Sequence, residues 1–420
     1  MNRVPHTHLT KMSQKEVSAA IGRHEMLYSG RLGGARARFT FCDLSGLDLA
    51  GRNLADANFT GAVLEETDFT GARLDSASFF SADLRRANLA KAQLRRADLR
   101  GASLRGANLI GADLFEADFR EGAIARMDRD GNLRLLQHEL NPSELPSAML
   151  NSANLERAKM TGAMAAQADF TDAMMKGCRL TRANLRQARL TGANLENADL
   201  SGCDLTGADL SGAILLGAQL DFANTHGANL SHTLSEKNEP EFEETQRIEA
   251  MLTAHSRWAQ SEGREGKVAN LSGLDLRRVQ SLAYRMLTAL IAPGAVLYGV
   301  NLEGASLQGS NLAGCDLRSA CLHGADLRGV NLSGAKLNHA DLRGANLSPL
   351  LIAAERLLPA RLDNVEARYA DFRGADLRRV RMVVSDFAYA NFTGANLRDT
   401  DMTDAELTGA KLPMPFAKSA

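Results

Sequence analysis

Every fifth residue along most of this chain is large and apolar. From Phe39 to Phe119 a Leu or Phe recurs at that interval without a break. A second run extends from Leu150 to Leu230, weakened at Ala165 and Thr225. A third runs from Leu297 to Leu347 and resumes in the same phase from Leu362 to Leu412. Ala usually stands two residues before the large residue and Asp or Asn one before, with Gly often two after, as at Gly101, Gly106 and Gly111. A period of five matches neither the helical 3.6 nor the strand 2.0. It fits a coil of four five-residue sides, in which residues twenty apart stack at the inter-strand spacing of ~4.8 Å. The large residue and the Ala then point inward, and Gly sits where the chain turns and a Cβ hinders. The Asp or Asn faces outward or caps the turn through its own backbone bonds. Phe39, Phe59 and Phe79, each twenty apart, predict one stack, and Phe372 and Phe392 another.

Units such as Ala107-Asn108-Leu109-Ile110-Gly111 and Ala208-Asp209-Leu210-Ser211-Gly212 resemble the A(D/N)LXX unit of the pentapeptide-repeat family, over roughly two-thirds of the chain. The resemblance implies an all-β solenoid, a right-handed quadrilateral β-helix, here in two modules with short α-helical caps and insertions. It also implies a binding or scaffold protein and no enzyme. The best-understood members are DNA mimics that act on DNA gyrase, so a DNA-mimicking modulator of gyrase or another topoisomerase is the alternative.

The breaks in the pattern divide the chain. Residues 1–36 read as an N-terminal tail and capping helix, in which Ser13 and Glu16 form a capping box ahead of Val17, Ala20, Ile21, His24 and Tyr28. The β-helix follows over 37–120. Residues 121–147 break the phase and read as a hairpin-like insertion with Asp130-Gly131 at its tip. A calcium loop through Asp128, Asp130, Asn132 and Glu139 is the competing reading, but Gly131 stands at the fourth position where such a loop needs its glycine at the sixth. The β-helix continues over 148–231. Residues 232–268 form a linker and second capping helix, with Ile248, Leu252, His255 and Ala259 on one stripe. A second β-helix covers 269–412, with helical insertions expected near 281–291 and 349–358 and degenerate coil faces as the alternative there, and 413–420 is a C-terminal tail. Leu44-Ser-Gly-Leu-Asp-Leu49 recurs as Leu271-Ser-Gly-Leu-Asp-Leu276 behind each capping helix, which argues for equivalent modules. Each helix would cover the open first coil, whose backbone edge and apolar core are otherwise exposed; a docking role for the helices is the weaker reading.

Composition narrows the function. Forty-nine basic against 50 acidic residues removes the simplest electrostatic case for nucleic acid or an anionic membrane. No window reaches the ~18 apolar residues of a membrane span, so the expected location is cytoplasmic. Four of five cysteines, Cys42, Cys178, Cys203 and Cys315, occupy Ala positions and read as small buried thiols. The nine histidines show no zinc spacing, and His24 and His255 read as hydrogen-bonded packing residues. No catalytic, cofactor-binding or metal residue is expected.

The expected partner is an unidentified protein, of which a second copy of the chain is one case. Nucleic acid is not expected, because Asp98 lies within the basic stretch Arg85–Arg105, Asp83 stands at its edge, and stacking aromatics are lacking there. Candidate contact residues are Asp130, Leu133, Leu135 and Leu136 on the insertion, Arg85, Arg95 and Arg105 in the basic stretch, and Trp258 on the second helix.

Overall fold

The computed structural model describes residues 9–127, 133–235, 242–279, 281–353 and 356–413. The chain forms two compact units, Met1–Asn238 and Glu239–Ala420, each a right-handed quadrilateral β-helix.

In unit 1 each coil is joined to the next by parallel bridges twenty residues apart, as in Arg38 to Asn58 to Ser78 to Asp98 to Asp118. The inner Leu or Phe donates its N–H to the coil above (Leu89 N to Asn108 O, 2.7 Å), and the residue before it donates to the coil below (Asn108 N to Ala87 O, 3.0 Å). Numbering the four sides from Phe39, side one carries Phe39, Phe59, Phe79, Leu99 and Phe119, all fully buried. The rings of Phe39, Phe59 and Phe79 stack at 5.2 and 4.9 Å between centroids, as the twenty-residue spacing predicts. The Ala column is equally buried, and several of the residues that replace Ala use their own hydrogen, while Cys178 is simply buried. Thr67 Oγ1, Cys203 Sγ, Cys315 Sγ and Ser385 Oγ each donate to the carbonyl of the inward residue one coil below, Leu44, Leu180, Ala292 and Leu362 respectively. Burial pushes the Cys203 and Cys315 thiols up to about 12, so they remain protonated packing groups.

The corner two residues after the large side chain has positive φ whether or not it is Gly. In unit 2 Val384 holds φ 54° there while half exposed. A β-branched side chain is strained in that conformation by about 1–2 kcal/mol. Val384→Gly is therefore expected to stabilise unit 2 by about 1 kcal/mol in urea unfolding, and an unchanged or lower midpoint would contradict it.

Two elements close the first coil of unit 1. Strand β1 (Thr10–Lys11) pairs in parallel with β2 (Cys42–Asp43), and helix α1 (Gln14–Tyr28) starts in the expected Ser13/Glu16 capping box. Gln14 follows β1, and its side-chain amide brackets Asp48, donating to its O (2.8 Å) and accepting from its N (2.9 Å). Val17, Ile21 and His24 are buried beneath the helix, and His24 Nδ1 accepts from Ala37 N at 3.0 Å.

After Phe119 the chain leaves the coil as an antiparallel hairpin, β3 (Gly122–Met127) with β4 (Leu133–Asn141). It returns so that Glu144 bridges Ser103, forty-one residues apart. From there the twenty-residue register resumes to Leu234. In the last coil Leu230 is exposed, Leu220 is only partly covered, and Phe222 is 98% exposed.

In unit 2 helix α2 (Phe242–Gln260) buries Ile248, Leu252 and His255, and His255 Nδ1 accepts from Ala269 N at 3.1 Å. The helix expected near 281–291 is not there. Leu282 and Leu287 enter the inner column of a regular coil, and Met286 and Ile291 lie on bridged outer positions. One extra residue lengthens that coil, so Asn270 bridges Ile291; the slip disguised the pentads as helical spacing. The helix expected near 349–358 is instead a hairpin, β5 (Leu350–Ala353) with β6 (Arg356–Leu358). Its leucines are symmetric about the turn, so Leu350 faces Leu358 and Leu351 faces Leu357. Ten residues are added without loss of phase, since Asn331 bridges Arg361.

The repeated hexapeptide is also corrected as a marker of equivalence. The two histidine bonds align Ala37 with Ala269, hence Phe39 with Leu271, and place Leu44 opposite Leu276. The identical text is what the five-residue unit writes at any side, as Leu200-Ser-Gly-Cys-Asp-Leu205 nearly does again.

Candidate interaction surface

The outer surface is built from one local device. The Asp or Asn before each large residue accepts the N–H two residues on, as Asn58 Oδ1 does from Thr60 N (2.9 Å). When that third residue is Arg, its guanidinium folds back on the same carboxylate. Arg100 Nε and Nη2 both reach Asp98 at 2.8 Å, and Arg120 on Asp118, Arg328 on Asp326, Arg343 on Asp341 and Arg373 on Asp371 repeat the fork. Charge is thus neutralised locally along both units.

Runs of like charge in the sequence disperse around the coil. Asp199, Asp204 and Asp209 lie on three successive sides. Arg85 and Arg105 share a side as expected, but Arg85 is forked on Asp83 and reaches Glu65, while Arg105 meets Glu144 at 3.4 Å. Arg95 stands on another side, paired with Asp113 at 3.0 Å and lying 4.5 Å over the Phe115 ring. The three basic candidates are therefore internally satisfied. Aromatic interleaving, expected to be lacking, is present: Phe115 lies between Arg95 and Arg157, and Arg100 lies over Phe80. The pattern hid it because both phenylalanines follow a large residue, an outward position.

A different set of cations converges on side one, next to the β3–β4 exit. Along that side the outer positions read Asp98, Asp118, Lys159, Arg179 and Asp199, each bridged to the next. Of these, Asp98, Asp118, Lys159 and Arg179 line a cleft of about 660 Å3 together with Arg96, Arg100, Glu116 and Arg157. A second depression shares Arg100 and adds Arg120, Glu121 and Arg182. On a flat β-helix face a hollow needs long side chains standing around positions that have none, and Gly177 and Gly162 supply those. Arg96, Lys159, Arg179 and Arg182 are exposed and have no ion-pair partner among the described residues. Burial works to raise the Asp118 pKa; the Arg120 fork and the charge of Lys159 overcome it and hold Asp118 below the usual carboxylate value.

In unit 2 the β5–β6 hairpin lies against the coil. Leu350 and Leu358 sit over Gly329, where an added Cβ would come within 2.9 and 3.1 Å of them. Leu351 (64% exposed), Ile352 (47%) and Leu357 (45%) face away into solvent. Trp258 is partly buried on α2, its ring 5.6 Å from that of His255, and belongs to the cap. Asp130 lies outside the described residues, as do Asp128 and Asn132 of the calcium reading. Leu133, Leu135 and Leu136 are placed on β4 by its backbone register alone. Among the described residues no metal-binding group is gathered, and no helix is long and apolar enough to cross a membrane.

The family model described as Pentapeptide repeats matches residues 42–79, 82–120, 147–177, 178–215, 295–334, 327–348 and 385–413. The chain belongs to the pentapeptide-repeat family. Among solved pentapeptide-repeat proteins it is similar to HetL, involved in heterocyst differentiation regulation in the cyanobacterium Nostoc sp. strain PCC 7120. The identity is 23% over 77% of this chain and 90% of that one, with a TM-score of 0.25. Rfr23 from the cyanobacterium Cyanothece 51142 is 28% identical over 34% of this chain and 88% of its own, with a TM-score of 0.22. The plasmid-mediated fluoroquinolone resistance protein QnrB1 is 18% identical over 57% and 93%, with a TM-score of 0.20. No curated protein matches the chain.

Sequence reasoning missed Lys159, Arg179 and Arg182 as neighbours of Arg96 and Arg100, since the pentapeptide register changes by twenty-one residues at the hairpin. The usable signal was the phase break itself, once its length is subtracted.

Proposed function

We propose that this pentapeptide-repeat protein is a non-enzymatic scaffold that docks a protein partner on its rigid β-helix faces and the hairpins that project from them. The observation that carries the reading is the β5–β6 hairpin: two leucines clamp it to a coil face while Leu351, Ile352 and Leu357 remain in solvent. Clustered exposed apolar side chains on an otherwise charged surface are a common mark of a protein contact. A DNA-mimicking modulator of gyrase is less well supported. Mimicry needs a continuous negative face, and the Asp columns here carry an Arg fork on coil after coil.

Replacing residues 350–358 by a short Gly/Ser loop is expected to leave the melting temperature nearly unchanged and to abolish co-purification of the main partner from the native host. A second variant replaces 126–140 in the same way. Retention of the partner by both variants would overturn a hairpin-based contact and move it to the coil faces. Inhibition of gyrase supercoiling at micromolar protein would favour the alternative.

A further inference from the structure

On side one of unit 1 the geometry points to a docking site for a short acidic peptide segment, seated in the cleft between Arg96, Lys159 and Arg179, with Arg182 in the adjoining depression. It rests on the scaffold reading only in taking the ligand to be part of a protein, and it names the chemistry of that part.

Three features converge on it. The cleft is lined by Arg96, Arg100, Arg157, Lys159 and Arg179 against Asp98, Asp118 and Glu116. The carboxylates are already engaged, Asp98 by Arg100, Asp118 by Arg120, and Glu116 by Arg157 at 3.7 Å. Arg96, Lys159 and Arg179 form no direct ion pair among the described residues, the charges of Lys159 and Arg179 reaching Asp118 and Asp199 only through space, and Arg182 extends the same field into the adjoining depression. Elsewhere the surface spends most of its arginines on its own aspartates, so a local surplus aimed into a hollow stands apart from a solvated charged face.

The positive run is also short. Lys159 and Arg179 occupy two successive rungs, bounded by the Asp98–Asp118 pair below and by Asp199 above. With rungs about 4.8 Å apart, a few glutamates or aspartates on an extended peptide span it. A polyphosphate backbone running on along the coil would meet Asp199, so the bounded field favours a peptide over a nucleic acid. Carboxylates gain most here from paired, planar hydrogen bonds to Arg179 and Arg182.

The test uses the full chain and a fluorescein-labelled hexaglutamate peptide, followed by fluorescence anisotropy. Binding is expected, weakening about tenfold between 50 and 300 mM salt, as a contact between exposed charges does. The triple variant Lys159→Ala, Arg179→Ala, Arg182→Ala should weaken it about tenfold or more. Its melting temperature should move little, since none of the three forms a direct ion pair. Removing three cations from unit 2 (Arg343→Ala, Arg373→Ala, Arg378→Ala) should leave binding unchanged. Equal losses in the two variants would reduce the effect to net charge and overturn the site, as would absence of binding. Tighter binding of a charge-matched oligothymidylate would replace the peptide by nucleic acid. None of these outcomes depends on the hairpin exchange, so failure of the cleft and failure of the scaffold reading are separately visible.

Discussion

Acidification from pH 7.5 to 5 is expected to lower the melting temperature of both units before the carboxylates titrate. His24 and His255 sit at the same place under the two capping helices. In each the Nδ1 atom accepts a backbone N–H of the first coil (3.0 and 3.1 Å), which fixes the proton on Nε2, a buried atom without a hydrogen-bond partner. Protonation at Nδ1 would break that bond and place a charge beneath the cap. Burial accordingly lowers both pKa values below the usual 6.5. Nearby backbone opposes burial, that of Ala55 at His24 and of Leu287 and Thr288 at His255; around His24 the Arg36 charge acts with burial, and Asp56 and Glu25 act against it. Since the folded pKa lies below the unfolded one, the stabilisation is complete above about pH 6.5. It is lost as the pH falls from there toward the folded values, at about 1.4 kcal/mol for each pKa unit of difference. His339, pushed down to about 4 by burial, adds to the same window in unit 2. Aspartates such as Asp204 and Asp209, held low by Thr206 and Ser211, lose their contribution only below about pH 4. Urea titrations at half-unit steps should show the decline, and His24→Gln with His255→Gln, which keep an acceptor but cannot titrate, should flatten it in unit 1 and reduce it in unit 2, where His339 remains. A midpoint constant between pH 7.5 and 5 would contradict the account.

A fragment of residues 239–420 is expected to express as a folded β protein, whereas one beginning at Lys267 should aggregate. The longer fragment coincides with a compact unit and retains α2, which buries Ile248, Leu252 and His255 against the same core as Leu271 and Leu276. Removing α2 bares that end of the core and withdraws the acceptor for Ala269 N. It also leaves the first rung of every side open to pairing with another chain. The corresponding cut in unit 1 would be worse, because β1 and the Gln14 amide also close backbone edges there. Sedimentation and circular dichroism of the two fragments distinguish the outcomes; equal solubility would show that the helix does not act as a cap.

The fold was legible because the pentad fixes it locally. A Leu every fifth residue with Ala two before assigns inward positions independently of distant partners, and Ser13 with Glu16 announces α1 within four residues. What was lost depends on counting. One extra residue before Leu282 turned a coil into an apparent helix, and the symmetric leucines of 350–358 satisfied both helical spacing and cross-strand pairing. The hexapeptide was persuasive because the repeat reproduces it anywhere. Of the surface, Arg85 and Arg105 were correctly placed on one side, yet their acidic partners Glu65 and Glu144 come from other coils. Lys159 became a neighbour of Asp118 only through a forty-one-residue step.

The twenty-residue rung sets an unusual grammar for insertions and deletions in the gene. Adding a whole coil lengthens the rod and keeps each column aligned. Adding a single pentad instead turns everything downstream by a quarter, so that the residues of side one are presented on side two while the inner Leu and Ala positions are still filled. The single extra residue before Leu282 and the ten added at 349–358 show the third option, an excursion that returns in register. A lineage of such proteins can thus redirect a surface toward a new partner with a fifteen-nucleotide change, without rewriting the core.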